Sequence, residues 1–235
     1  MDLTLLIPMH DEAEALDDLL PALATFHAEH VVDIAMEAVL VDDGSTDDTF
    51  EKAWNWADGQ HFPVKVIRLA PREGLGGAIS QGIPFCTGNW VVTYDADMSY
   101  PLDDIPRLLE RGGAEDAQVV TASPWGAEGL ALELDRRRER ISRLASRLYH
   151  WRLGRRGRHL TCFTCGFRAY AKGALPLIAP KSKGFLATAE MLVRALKADM
   201  TVTEIPSTLR PRTQGRSKMR VVRTALSHLL FLIRL

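Results

Sequence analysis

Cysteine is scarce: Cys86, Cys162 and Cys165 are the only three in 235 residues. That is too few for a disulfide framework and suits a reducing compartment. The spacing His159-x-x-Cys162-x-x-Cys165 is near a metal-ligand pattern, but a closed zinc site takes four ligands and no second Cys or His pair stands nearby. Long apolar runs are missing too. Nothing approaches the ~18 residues needed to cross a bilayer, and the nearest stretch, residues 229–233, is far too short. Positive charge is lacking at the start, where Asp2, Asp11, Glu12 and Glu14 stand instead of the basic residues of a secretory signal. The expectation is a cytosolic protein. Low-complexity tracts are absent as well, which excludes disorder, and the 46% hydrophobic content with 25% charged residues is that of one large globular domain.

Each half of the chain is poor in charge of one sign, although the net charge is only -1. Residues 1–135 hold 26 Asp/Glu against 6 Lys/Arg. Residues 136–158 hold ten arginines against Glu139 alone, and residues 159–235 hold 13 Lys/Arg against three acids. A division this large points to one half that handles a cation and another that meets phosphate, nucleic acid or an anionic membrane. Two oppositely charged faces attracting each other within one fold would give the same pattern.

Apolar runs alternate with helical patterns through the first hundred residues. Residues 3–7 form a short apolar strand ended by Pro8, and Leu16, Leu19, Leu20 and Leu23 carry the helix that follows. Residues 38–41 make a second strand, ended by Asp42-Asp-Gly-Ser-Thr-Asp47, whose side chains suit a helix cap. Residues 64–69 make a third, then Pro71 and a Gly74-Leu-Gly-Gly77 loop precede a helix from about Ala78. Residues 90–94 make a fourth, ending at Asp95-Ala-Asp97. This alternation predicts βαβ units and a mostly parallel sheet with right-handed crossovers. Every polar motif follows a strand. In open α/β sheets the ligand crevice lies beyond the carboxyl ends of the strands, so Glu12, Asp43, Gly74 and Asp97 are expected to converge there.

The glycine loop lacks the Lys-Ser/Thr of a phosphate-binding Walker loop, and the first strand is followed by Pro8-Met-His-Asp-Glu12 without the glycines of a dinucleotide fingerprint. Asp95 and Asp97, two apart where a buried strand opens, suit a hard divalent cation, which takes one or two carboxylates plus substrate phosphates.

These pieces in order, Pro8-x-x-x-Glu12, Val41-Asp-Asp-Gly-Ser-Thr-Asp47, Gly74-Leu-Gly-Gly-Ala78, Asp95-Ala-Asp-Met-Ser-Tyr-Pro101, Gly166-Phe-Arg-Ala-Tyr170, Glu190-Met and Arg212-Thr-Gln-Gly-Arg-Ser-Lys218, resemble glycosyltransferase family 2. Within it they are most similar to the dolichol- or polyprenyl-phosphate mannosyl- and glucosyltransferases. The resemblance implies a GT-A fold, with one Rossmann-like, mostly parallel sheet covered by helices on both faces. It also implies a nucleotide-sugar donor (GDP-mannose or UDP-glucose type), Mg²⁺ or Mn²⁺, and inversion at the anomeric carbon. By position, Pro8, His10, Glu12, Val41 and Asp43 would line the donor pocket. Asp95 and Ala96 would lie against the donor, Asp95, Asp97 and Ser99 would face the metal, and Arg212 and Lys218 would close over the diphosphate. Residues 1–219 would form the catalytic domain and 220–235 an amphipathic tail.

The resemblance also bears on the acceptor. Arg136, Arg140, Arg143 and Arg147 recur at helical spacing beside an apolar row of Ile141, Leu144, Leu148 and Trp151. Such a helix can lie in a membrane interface or pack on the sheet with its arginines in water. Arg138-x-x-x-Ser142 matches the position where relatives grip an acceptor phosphate, which places Arg138 with Asp95 and Asp97 in the catalytic set. A phosphate acceptor needs no general base, being ionised already at pH 7. Two segments depart from the pattern: Ala122-Ser-Pro-Trp125 replaces a Gly-Ser-Arg-Tyr, and Cys162-Phe-Thr164 replaces an Asp-x-Thr. Arg137 or Arg140 would have to compensate for the arginine missing at Pro124. The expected partners are therefore a nucleotide sugar, a lipid phosphate and the anionic inner face of the cytoplasmic membrane, with no nucleic acid. Transfer to a saccharide or protein hydroxyl, and a non-catalytic module that binds nucleotide sugar or nucleic acid, remain the alternatives.

Overall fold

The structure is a computed structural model that describes residues 2–126, 129–132, 136–212, 214 and 221–235; of residues 136–138 it describes the backbone only. The chain begins with β1 (Leu3–Met9), α1 (Ala13–His30), β2 (Met36–Asp42), α2 (Thr49–Ala57), β3 (Val64–Arg68), α3 (Leu75–Gly82) and β4 (Trp90–Thr93). It continues through α4 (Asp104–Ala114), β5 (Val119–Ser123), β6 (Leu130–Ala131), α5 (Arg136–Leu153), β7 (Arg168–Ala171), α6 (Leu175–Ile178), α7 (Leu186–Lys197), β8 (Val202–Pro206), β9 (Thr208–Leu209) and α8 (Val221–Arg234).

Seven strands form one sheet in the order β3-β2-β1-β4-β7-β5-β8. All neighbours are parallel except β7, which runs antiparallel to both β4 and β5. The alternation of side chains along a strand explains the two cores. Leu3, Leu5, Ile7 and Met9 of β1 face α1 and α4, packing on Leu16, Leu23 and Leu108, while Leu6 faces the other way with Val39, Val41 and Ile79 of α3 and Met191 of α7. A strand buried on both faces reads as a continuous apolar run, and this one does.

Helix α3 starts earlier than its sequence pattern predicts. The glycine loop is itself its first turn, because the Gly74 carbonyl accepts from Ala78 N at 2.9 Å. Gly74 has φ +80°, and a Cβ there would lie 2.3 Å from the Lys183 carbonyl oxygen; at Gly76 it would lie 1.8 Å from the Ser182 oxygen. Only glycine lets segment 181–184 dock so closely.

The topology decides where a ligand goes. After β1 the chain moves outward through β2 and β3, then returns to place β4 on the opposite side of β1. The carboxyl ends of β1 and β4 therefore flank the switch point of the sheet, where an open crevice forms. Helices α5 and α8 pack against each other beyond that end, and α8 also touches α7. No helix among the described residues is long and apolar enough to cross a membrane.

Candidate active site

The ends of β1 and β4 bring Glu12 and Asp97 to one arginine from the far end of the chain. Arg212 Nε lies 2.8 Å from Asp97 Oδ2, and its Nη1 lies 3.3 Å from Glu12 Oε1. Asp97 Oδ1 accepts from Ser99 N at 3.0 Å, which sets the carboxylate at the mouth of the loop. Asp95 stands behind it, with a Cβ at Gly166 only 3.3 Å from Asp95 Oδ2, so a larger residue there would press on the acid. Burial and the charge of Asp97 push the Asp95 carboxyl up to about 7, with Arg212 pulling the other way and Glu12 adding to the rise. The pocket thus holds more negative charge than its own cation neutralises. Hard oxygen donors under that electrostatic load fit a divalent cation, which usually shares its ligands with substrate phosphate. Among the described residues no group of three or more His, Cys, Asp and Glu side chains is arranged around a metal position.

The other described residues expected on the donor side surround the same crevice, with one exception. Pro8, His10, Glu12, Asp43 and Ala96 line it. Val41 does not: it is fully buried in the core against α3. Asp43 is committed to the backbone, accepting from Glu73 N at 2.6 Å and Gly74 N at 2.8 Å, with Arg72 Nε at 3.4 Å. It therefore shapes the loop before α3. Glu190, buried on α7, accepts from Lys181 N at 3.1 Å and Ser182 N at 2.8 Å and so holds the segment that docks on Gly74 and Gly76.

A second cavity of about 420 Å³ opens beyond Asp95 and Asp97, between α5 and α8. Leu75, Asp95, Asp97, Phe185 and Arg212 line both spaces, so the polar crevice and the larger cavity meet at the carboxylates. The larger cavity is walled by Ile141, Leu144 and Leu148 of α5 and by Leu229 and Leu232 of α8. Helix α5 leaves its apolar row open: Trp151 is 81% exposed, and Ile141, Leu144 and Leu148 are exposed too, while Ser146 and Tyr149 make the buried seam. Tyr149 hydroxyl and His228 Nδ1, 2.8 Å apart, join α5 to α8. Ser142 also lines this cavity, its Oγ taking the Trp125 indole N–H at 3.2 Å and sharing a proton with Thr164 Oγ1 at 2.9 Å. The Arg138 side chain and Lys218 lie outside the described residues. Arg140 is exposed on α5 and does not line the cavity.

Sequence reasoning gave no role to two arginines, one of them inside the Gly166-Phe-Arg-Ala-Tyr170 motif. Arg168 is fully buried, donating to Thr121 Oγ1 and the Phe163 carbonyl, each at 2.9 Å, and to the Thr188 carbonyl. It ties the 161–166 segment beside Asp95 to β5 and α7. A charged residue opening an otherwise apolar strand was its signal. Arg210 lines the large cavity, with its backbone N bonded to the Ser99 carbonyl at 2.8 Å. Its place two residues before Arg212, in the same strand-like run, was the only hint.

Residues 4–176 match the family model for glycosyl transferase family 2. The chain belongs to that family. Its relatives include a dolichol-phosphate mannosyltransferase of Pyrococcus furiosus, 28% identical over 94% of this chain and 60% of that protein. An undecaprenyl-phosphate mannosyltransferase of Micrococcus luteus is 30% identical over 91% of this chain and 86% of its own length. An undecaprenyl-phosphate 4-deoxy-4-formamido-L-arabinose transferase of Sodalis glossinidius is 37% identical over half of this chain. The chain spans 60% of the length of the P. furiosus protein and 35% of the S. glossinidius one. Among solved structures, glucosyl-3-phosphoglycerate synthase of Mycobacterium tuberculosis, in complex with Mn²⁺, UDP and glucosyl-3-phosphoglycerate, superposes with a TM-score of 0.72 at 17% identity, covering 98% of this chain and 79% of that one. The family 2 chain therefore has the GT-A fold, as its sequence motifs imply.

Proposed function

We propose that this chain transfers a hexose from a nucleotide-diphosphate sugar, of GDP-mannose or UDP-glucose type, to a polyprenyl phosphate, with inversion and in one displacement. The observation that carries the reading is the shared wall: a polar crevice and an apolar cavity of about 420 Å³ meet at Asp95 and Asp97. A nucleotide sugar suits the first space and a prenyl chain suits the second, so the anomeric carbon and the acceptor phosphate would meet where the carboxylates stand. The polyprenyl-phosphate specificity named for the relatives from P. furiosus, S. glossinidius and M. luteus supports this acceptor. The Mn²⁺ and UDP of the M. tuberculosis structure support the donor class.

In this reading Asp95, Asp97 and the Ser99 hydroxyl would hold Mg²⁺ or Mn²⁺, which when bound would offset the charge developing on the departing nucleoside diphosphate. Arg212, now on Glu12 and Asp97, would move to the same diphosphate, joined by Lys218. Pro8, His10, Glu12 and Ala96 would hold the rest of the donor, with Val41 acting from the core and Asp43 through the loop before α3. Arg138 and Ser142 would orient the acceptor phosphate, and positioning beside the anomeric carbon replaces a general base. The open apolar rows of α5 and α8, flanked by Arg143, Arg147 and Arg223, would rest on the anionic inner face of the cytoplasmic membrane. Residues 1–219 would form the catalytic unit, with 220–235 completing the acceptor side.

Purified protein incubated with Mn²⁺, labelled GDP-mannose or UDP-glucose, and polyprenyl phosphate is expected to yield an acid-labile, lipid-extractable sugar. A product on a saccharide or protein hydroxyl, or none with any donor, would overturn the reading.

A further inference from the structure

Among the described residues, the carboxylates and guanidiniums that line the large cavity gather at one end. Asp95 and Asp97 mark that end, and among the described residues its only lysine or arginine linings are Arg210 and Arg212. Arg212 is engaged by Asp97 and Glu12. Arg210 makes no ion pair among the described residues, and its side chain is exposed. Its backbone is nevertheless fixed, bonded at 2.8 Å to the carbonyl of Ser99, two residues after Asp97. A guanidinium with no ion pair among the described residues is thus anchored, just after β9, beside the loop that carries the site acids, at the wall of the apolar space.

An anionic acceptor needs such a group. A phosphate ester approaching Asp95, Asp97 and Glu12 meets like charge in a partly desolvated space, where repulsion is poorly screened. Among the described residues the neighbouring groups are otherwise occupied. Arg143 is paired with Glu139 at 2.9 Å and stacked over the Trp125 ring at 4.6 Å. Position 124 is a proline and offers no side-chain donor. Ser142 and Thr164 contribute hydroxyls but no charge. A guanidinium matches a phosphate with two parallel donors, which an ammonium does not.

We propose that Arg210 grips the phosphate monoester of the acceptor in the cavity that Ser142 also lines, and thereby selects a phosphorylated acceptor over an alcohol. The inference rests on the phosphate-acceptor reading above and names the residue that enforces it. The acceptor it commits to is a prenyl phosphate, because the α5 and α8 walls beyond Arg210 are mainly apolar, Ile141, Leu144, Leu148, Leu229 and Leu232, with Ser142, Thr224 and His228 the polar exceptions among them.

The test compares wild type, Arg210→Gln, Arg210→Lys and Leu229→Asp, with thermal unfolding as the check on folding. Geranyl phosphate, geraniol and glycerol phosphate are the probes, titrated calorimetrically in the presence of nucleoside diphosphate and Mn²⁺. Arg210→Gln is expected to weaken geranyl phosphate binding, and to raise its KM in transfer, roughly 10- to 100-fold, the range for a charge-assisted pair. Arg210→Lys should fall between, while geraniol binding and nucleotide affinity stay unchanged. Leu229→Asp should weaken geranyl phosphate and leave glycerol phosphate alone. Equal effects of Arg210→Gln on geraniol and geranyl phosphate, or no effect on either in a folded variant that still turns over, would overturn the role of Arg210 and leave the transferase reading standing. Glycerol phosphate bound better than geranyl phosphate, with Leu229→Asp silent, would overturn the prenyl assignment. A wild-type protein that neither binds geranyl phosphate nor glycosylates a prenyl phosphate would remove the acceptor reading and this inference together.

Discussion

The polar crevice and the apolar cavity, the donor side and the acceptor side of the proposed function, are built on different principles. On the donor side, polar groups bond one another: Asp43 holds the loop before α3, Glu190 holds the segment docked on that loop, and Arg212 joins Glu12 to Asp97. Strand ends and backbone N–H groups set the geometry, with little freedom left. On the acceptor side, two helices meet through a narrow seam at Tyr149 and His228 and leave their apolar faces open. The difference agrees with what the proposed function has each side bind. A charged diphosphate needs donors and acceptors in fixed places, whereas a hydrocarbon chain needs only area removed from water.

The sharpest way to break this comparison is at the shared wall. Asp97→Ala is expected to lower turnover by at least about 10²- to 10³-fold, the scale of losing one preorganised electrostatic group. Calorimetry should show it losing Mn²⁺-dependent nucleotide affinity while geranyl phosphate binding without nucleotide survives. Comparable loss of both would mean that the two sides are one site and not two. Arg168→Leu comes next, since it leaves the carbonyls of Phe163 and Thr188 without their donor in a fully buried place. It should cost about 2–4 kcal/mol in urea unfolding, and a stable variant would show that the 161–166 segment holds itself.

Smaller effects sharpen the acceptor half. Trp151 and Ile233 are 81% and 72% exposed on α5 and α8. Replacing both by Glu should reduce co-sedimentation with phosphatidylglycerol vesicles about tenfold or more, each large apolar side chain contributing ~1.5–3 kcal/mol when buried. Soluble-donor binding should not change, and undiminished sedimentation would leave the arginines as the whole attraction. The smallest effect belongs to the helix seam. Burial holds His228 below its ordinary value of 6.5, so the unfolded chain takes up a proton as pH falls through that value while the folded chain does not. Stability is therefore lost as pH drops below 6.5 toward the depressed folded value and is intact above it. In His228→Phe that part of the pH dependence of Tm should vanish; an unaltered profile would assign it to other groups.

How much of this was legible in the chain varies with distance along it. β1 to β4 announced themselves because each is a buried run ended by turn residues, and Asp95 and Asp97 because they close such a run. The edge of α3 was misread, since Gly74 looks like loop in a pattern but serves as a helix turn once segment 181–184 rests on it. The antiparallel β7, lying between β4 and β5, left no local trace of its place. The apolar row of α5 was visible, but whether it faced the sheet or the outside was not; the seam of Ser146 and Tyr149 decided that.

The amino-acid order alone therefore determined the alternation of strand and helix, the acids at the strand ends and the family, because each depends on residues close together in the chain. Tertiary structure alone decided that Arg212 reaches Glu12 and Asp97, that Val41 is sealed in the core while His10 lines the crevice, and that Arg210 is left facing an apolar space. Charge pairing and burial are set by distance through space, and spacing along the chain carries no measure of that.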